Sequence, residues 1–213
     1  AAPIPDEEIP VTATTTFRIT PAEPEVLRDI ESSGPEELRQ HFDLIRGGLE
    51  ALPGVPGEAI YGAVTLRTIA LRPDVFTHLF LTEHHAAKQG TVDRGVKELI
   101  SLLVSERIEG DETPACGPYH AGAATFEGAA SDAVDIVRDF ERRGHELDPA
   151  VHDAVEFAAT AAIDPRAITD ADVRRLQEHG YDDGQLVELV TTALVAYALA
   201  AVNQVFDLRE GEG

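Results

Sequence analysis

An all-α domain is what this sequence predicts, on three observations. Apolar residues recur at steps of three and four, as in Leu38, Phe42, Ile45, Leu49 and Leu52, which marks one face of a helix. Cap-plus-proline pairs that open helices occur at Thr113–Pro114 and Asp148–Pro149, and glycines stand where the periodic runs stop. Alternation of the strand kind is confined to residues 11–19, a single short piece without a partner.

The elements follow in order. Residues 1–23 hold four prolines and no helical period, so they read as an extended N-terminal arm, laid on the body or on a neighbouring subunit. Ser33 and Glu36 have capping-box spacing, with Pro35 in the first turn of the helix that carries Leu38 to Leu52; Pro53, Gly54, Pro56 and Gly57 end it. A helix over 57–71 stops before Pro73, and one over 74–89 is closed by Gly90. Thr91 opens a helix to Glu109 with Val96, Leu99, Ile100, Leu103 and Val104 facing inward. After a loop at 110–112, Thr113 caps a small-residue helix reaching Ala130, and Ser131 caps another that Gly144 terminates. Asp148 starts a helix to Ala162, and Thr169 with Asp172 starts a short one closed by Gly180. The last helix, 183–206, is apolar on most sides and belongs at the centre of the core. Residues 24–208 thus read as a single all-helical domain, with 209–213 a disordered tail.

Composition bounds the partners. The 213 residues are 43% hydrophobic, enough for a core without metals or disulfides, and the lone cysteine suits a reducing, cytoplasmic compartment while leaving a free thiol to explain. The 39 acidic residues against 17 basic ones give a net charge of −22, a surface that repels nucleic acid and anionic lipid. Only Lys88 and Lys97 are lysines; the remaining basic residues are arginines. Because the acids are spread along the chain, a solvated acidic shell of the halophilic kind is expected rather than one interaction face. The most apolar stretch, 194–202, is too short to cross a bilayer.

Chemistry concentrates at Cys116–Gly117–Pro118–Tyr119–His120. In a helix opening at Thr113, Cys116 falls in the first turn, where unpaired N–H groups and the helix dipole favour a thiolate. His120 lies one turn on, on the same face, where its imidazole can take the thiol proton. A carboxylate on the far ring nitrogen would orient that imidazole, and Glu98 on the preceding helix is the candidate. The catalytic candidates are therefore Cys116, His120 and Glu98, and the substrate-binding candidates Thr113, Tyr119 and His84. Against them stands the reading of Cys116 as an inert buried hydrophobe, and of the Glu83–His84–His85 run as a solvated helix end. A zinc site of His84 or His85 with Cys116 and His120 lacks a second short-spaced ligand pair, so no metal and no cofactor are expected. His41, His78, His145, His152 and His179 read as surface residues, and Asn203 as a helix cap in preference to a pocket donor.

Residues 97–124, KELISLLVSERIEGDETPACGPYHAGAA, resemble the signature of the carboxymuconolactone decarboxylase and alkylhydroperoxidase (AhpD-like) superfamily, a helical glutamate followed by Cys-x-x-Cys-x-x-x-His. Glu98, Cys116 and His120 match its glutamate, second cysteine and histidine, while Thr113 stands where the first cysteine belongs, and the loop before it is about three residues longer. Residues 172–202 also resemble the family's C-terminal part. The resemblance implies an AhpD-like all-α fold with an internal pseudo-repeat, homo-oligomers (dimer, trimer or hexamer), and, for two-cysteine members, antioxidant peroxide reduction with glutamate and histidine relaying protons. With Thr113 in place of the cysteine, the expectation is a one-cysteine peroxidase reduced by an external thiol, with Glu98 and His120 carrying protons to and from Cys116. Two alternatives stay open: a lyase acting on a small carboxylated substrate through His120 and Glu98, and an inactive oligomeric member.

Overall fold

A computed structural model of the chain describes residues 17–110 and 116–208. The expected tail, residues 1–16 of the expected arm, and Thr113 with the cap assigned to it lie outside the described residues. The first half contains α1 (Pro24–Ser33), α2 (Glu36–Glu50), a 3-10 turn (Gly57–Gly62), α3 (Val64–Ile69), α4 (Pro73–Glu83) and a π-helical turn (His84–Lys88). The second contains α5 (Arg94–Glu109), α6 (Gly117–Phe126), α7 (Ala133–Arg138), α8 (Phe140–Arg143), α9 (Pro149–Ile163), α10 (Asp170–Glu178) and α11 (Asp183–Phe206). Among the described residues there is no strand; Phe17 to Ile19 are irregular, and Arg18 N donates to Phe206 O at 3.2 Å.

Two hydrophobic clusters organise the packing. Leu99, Leu103, Ala124, Val155, Ala158 and Leu189 belong to one, shared by α5, α6, α9 and the first half of α11. Leu27, Phe42, Ile60, Phe76, Phe80 and Leu199 belong to the other, shared by α1, α2, α4 and the second half of α11. α11 therefore serves both, and by length and composition it is long and apolar enough to cross a membrane. Its inward residues Leu189, Ala193 and Ala200 are fully buried against the protein, while Val187, Leu194, Tyr197 and Val205 form an exposed apolar stripe.

Several boundaries move, each for a local reason. Ser33 does not cap α2: it ends α1, its Oγ donating to Asp29 O at 2.6 Å, and α2 begins after Pro35 with no side-chain cap. Residues 57–71 are not one helix, because Ala63 (φ −58°, ψ 112°) breaks the hydrogen-bond ladder between the 3-10 turn and α3. The segment 74–89 changes to π geometry at His84, with Gln89 N bonded to His84 O at 3.0 Å, a one-residue bulge that re-aims the last turn inward. α5 starts at Arg94, not Thr91. Asp93 accepts from Val96 N at 3.1 Å, while the N–H groups of Thr91 and Val92 are taken by the Glu188 carboxylate of α11. α6 ends at Phe126 rather than Ala130, beyond which Gly128 adopts φ +92°, and 131–144 is divided at Asp139 (φ −120°, ψ 40°).

Elsewhere the capping chemistry operates as its residue types require. Asp148 accepts from Ala150 N and Val151 N ahead of Pro149, and Thr169 with Asp172 forms a reciprocal box. Asp182 and Gln185 do the same for α11, each side chain bonded to the other's backbone N–H at 2.8 and 2.9 Å. Asp182→Ala is expected to lose about 1 kcal/mol of stability. Urea titration would read this as a lower midpoint with an unchanged slope; an unchanged midpoint contradicts it.

Both lysines are interior. Lys97, fully buried, pairs with Glu188 and donates to Gln89 O, tying α11 to the end of the π turn. The acidic shell is thus matched on the outside by arginine, and lysine is reserved for buried pairs.

Candidate active site

The site lies at the seam of the two clusters. Cys116 and Tyr119 border the second cluster, and Ala121 and Ala124 of the same helix enter the first. α2 comes close to α6 because Gly48 carries no side chain: a Cβ there would lie 3.0 Å from Tyr119 Cε2. α5 contributes Glu98 and Glu109 from opposite ends, the π turn contributes Lys88, and α11 contributes Asn203. All four are buried.

Glu98 and His120 are brought together. His120 Nδ1 lies 2.8 Å from Glu98 Oε2, both residues being nearly sealed from solvent. An ionised carboxylate only accepts, so Nδ1 carries the hydrogen and Nε2 is left as the basic nitrogen. Lys88 Nζ bonds the other oxygen, Oε1. Burial pushes the Glu98 carboxyl up, but the Lys88 charge and the His120 hydrogen bond outweigh it and hold the group down to about 2. Lys88 is correspondingly held above the ordinary lysine range: burial is the largest single influence and lowers it, but the neighbouring negative charges, Glu98 first, and the Glu98 hydrogen bond together outweigh it. Its ammonium also lies 5.6 Å from the centroid of the Tyr119 ring. Tyr119 stays a phenol, its hydroxyl sealed from solvent and pushed up chiefly by burial.

Cys116 occupies the N-cap position of α6, one residue outside the helix, and is partly exposed. Its carbonyl accepts from His120 N at 3.1 Å, the first turn's own bond, which fixes the spacing between the two residues. Asn203 does not cap α11, whose end is formed by Asp207 in the left-handed region (φ 54°). Its amide nitrogen instead donates to Glu109 Oε1 at 2.7 Å and to Cys116 Sγ at 3.3 Å, while its oxygen accepts from Thr65 Oγ1 at 2.6 Å. Glu109 Oε2 lies 3.5 Å from Cys116 N. The sulfur is therefore faced by an oriented amide donor, which stabilises negative charge on it.

Cys116, Tyr119 and His120 open onto a cavity of about 230 Å³. Its remaining wall is mostly aliphatic and aromatic, including Ile45, Leu49, Leu66, Phe80 and Leu199, with Thr65 and Glu83 among its few polar groups; among the described residues no arginine or lysine lines it. His84 is not among the lining residues. It is buried behind the wall, edge-on to His41, with Gln89 Nε2 donating to its Nε2 at 2.7 Å, and burial lowers it, so it stays a neutral imidazole. The solvated-end reading of this run fails for Glu83 and His84, because the π turn directs them inward; His85 alone is exposed. His41, expected at the surface, is fully buried between α2 and α4. Among the described residues, no group of three or more His, Cys, Asp or Glu side chains is arranged to hold a metal ion.

The functional groups that sequence reasoning missed are Lys88 and Glu109, while Glu83 and Asn203 were weighed for the pocket and set aside as a solvated helix end and a helix cap. One signal was available for Lys88, its rarity in a chain that otherwise uses arginine. For Glu109 and Asn203, which meet across 94 positions, no local pattern exists.

No protein-family model and no curated protein matches this chain. Among solved structures, it is similar to the alkylhydroperoxidase AhpD core of an uncharacterized peroxidase-related protein from Ralstonia eutropha JMP134, with a TM-score of 0.64 and 17% identity over 91% of each chain. The all-α array described above is therefore the AhpD-like fold.

Proposed function

We propose that this chain is an alkylhydroperoxidase-like oxidoreductase that works through one cysteine. The observation that carries the reading is the Lys88–Glu98–His120 chain of contacts, buried behind a partly exposed Cys116 that shares a cavity with the imidazole. In the first step His120 Nε2 takes the thiol proton, and the Cys116 thiolate attacks the terminal peroxide oxygen. The S–O bond forms, the O–O bond breaks, and the departing alkoxide takes up a proton, leaving an alcohol and a sulfenic acid on Cys116. A small external thiol then attacks the sulfenic sulfur, releasing water and leaving a mixed disulfide. A second thiol equivalent opens that disulfide and restores Cys116. No second cysteine exists in the chain to do this internally.

Glu98 acts as an anchor in this scheme. A carboxylate held down to about 2 stays charged through neutral pH, orients the Nδ1–H tautomer and stabilises the imidazolium, without itself exchanging the proton. The apolar wall favours alkyl or aryl hydroperoxides over hydrogen peroxide. A carboxylated lactone would meet Glu83 and no lining cation, which argues against the lyase alternative. The exposed stripe of Val187, Leu194, Tyr197 and Val205 supports a homo-oligomer built through α11, a state that sedimentation velocity reads directly.

The test is cumene hydroperoxide with dithiothreitol as reductant. Saturable peroxide consumption is expected, and one dimedone adduct on Cys116 after peroxide in the absence of reductant. No consumption above the protein-free rate would sink the proposal.

A further inference from the structure

The chemistry proposed above leaves a buried ionisable pair at the cavity wall unused. Glu83, the last residue of α4, lines the reactive cavity and is 5% exposed. His41 of α2 stands behind it, fully buried, with Nε2 3.3 Å from Glu83 Oε2. The two groups are close but not aligned for a hydrogen bond: Glu83 Oε2 and both ring nitrogens of His41 have no hydrogen-bond partner. His41 is wedged edge-on between Phe80 and His84, with ring centroids 5.4 and 5.7 Å away, so it cannot swing out to water. Of the other polar groups of the cavity wall, His120 Nδ1 is committed to Glu98 and Thr65 Oγ1 to Asn203, while the Tyr119 hydroxyl, like Glu83 Oε2, has no hydrogen-bond partner. Glu83 is the carboxylate among the described lining residues: it sits in the cavity wall without a full set of donors, an expensive arrangement unless the cavity's occupant supplies one.

We propose that Glu83, oriented by His41, is the specificity-determining acceptor of this cavity. It receives a hydrogen bond from the terminal O–H of a neutral, apolar guest and turns carboxylates away. The peroxidase reading supplies only the identity of the reactive guest, a hydroperoxide whose O–H would be held by Glu83 and whose alcohol product carries the same donor. The recognition itself does not depend on turnover. Two features make it selective. An O–H donor meets a charged acceptor in a site of low polarity, where such bonds are strongest. A carboxylate meets a like charge, and no arginine or lysine among the described lining residues offsets it.

The experiment titrates the full chain with three one-ring probes, benzyl alcohol, toluene and benzoate, following chemical shifts of the cavity residues by NMR. In the parent, benzyl alcohol is expected to bind about tenfold or more tightly than toluene, and benzoate not to perturb the cavity. Glu83→Leu should abolish the preference for the alcohol over toluene. Glu83→Gln keeps an accepting carbonyl but loses the charge; it should retain the alcohol and admit benzoate, and it serves alone if the leucine variant does not fold. Benzoate binding to the parent as tightly as the alcohol, an alcohol preference that survives Glu83→Leu, exclusion of benzoate that survives Glu83→Gln, or no alcohol binding at all would each overturn the proposal. These readouts need no peroxide, so a failed peroxidase assay leaves them intact, and their failure leaves the peroxidase reading standing.

Discussion

Lys88→Met is expected to cost about 3–5 kcal/mol of folding stability, the usual penalty for removing one partner of a buried ion pair, and at least about tenfold in turnover at neutral pH. Both effects come from Glu98. Burial drives its carboxyl up, and the Lys88 charge is the largest influence holding it down to about 2. The sign follows from that depression. A carboxyl whose folded value lies below its ordinary 4.5 contributes stability that is fully present above 4.5 and is lost as the pH falls through about 2. Without Lys88 the loss begins at higher pH, so acid unfolding monitored by circular dichroism should shift toward neutrality. Activity should show the same shift, because a protonated Glu98 no longer fixes the His120 tautomer. The double variant Lys88→Met with Glu98→Gln removes both charges and keeps an acceptor for His120, so it should recover much of the stability without recovering the turnover. A Lys88→Met protein within about 1 kcal/mol of the parent and with an unshifted acid transition would contradict the assignment.

How much of this was legible beforehand depends on the distance over which each signal acts. Caps and prolines act within four residues, which is why the starts at Pro149 and Asp170 follow from Asp148 and Thr169 directly. The Glu98–His120 contact spans 22 positions and was approachable because helix, loop and helix lie in sequence. The π turn was not legible. Its residues 84–88 have the composition of an ordinary helix end, and the bulge is favoured by what it buries, Lys88 against Glu98 and His84 behind the cavity, which are tertiary contacts. His41 illustrates the same limit. A lone histidine flanked by Gln40 and Phe42 reads as a surface residue, and only the packing of α4 onto α2 encloses it. Asn203 was placed at a helix end by its sequence neighbours, whereas a side chain that can donate twice and accept once was needed where Thr65, Glu109 and Cys116 converge.

Cys116→Ser is expected to remove peroxide turnover by on the order of 10³-fold or more while changing stability by less than about 1 kcal/mol. The contrast between the two numbers is what gives the substitution its force. Serine keeps the side chain's branching with a somewhat smaller atom at a partly exposed position, and its hydroxyl can still accept from the Asn203 amide that now bonds Sγ at 3.3 Å, so the surrounding contacts persist. What changes is ionisation and nucleophilicity: an alkoxide is not accessible at neutral pH, even with His120 opposite, and hydroxyl attack on an O–O bond is far weaker than thiolate attack. If Cys116 were merely a packing residue between Tyr119 and Asn203, both quantities would stay put. If turnover survived intact, the imidazole and carboxylate would be acting without sulfur, and acid–base chemistry on some other substrate would become the reading. Loss of turnover with the fold preserved is the outcome that a nucleophilic thiol requires.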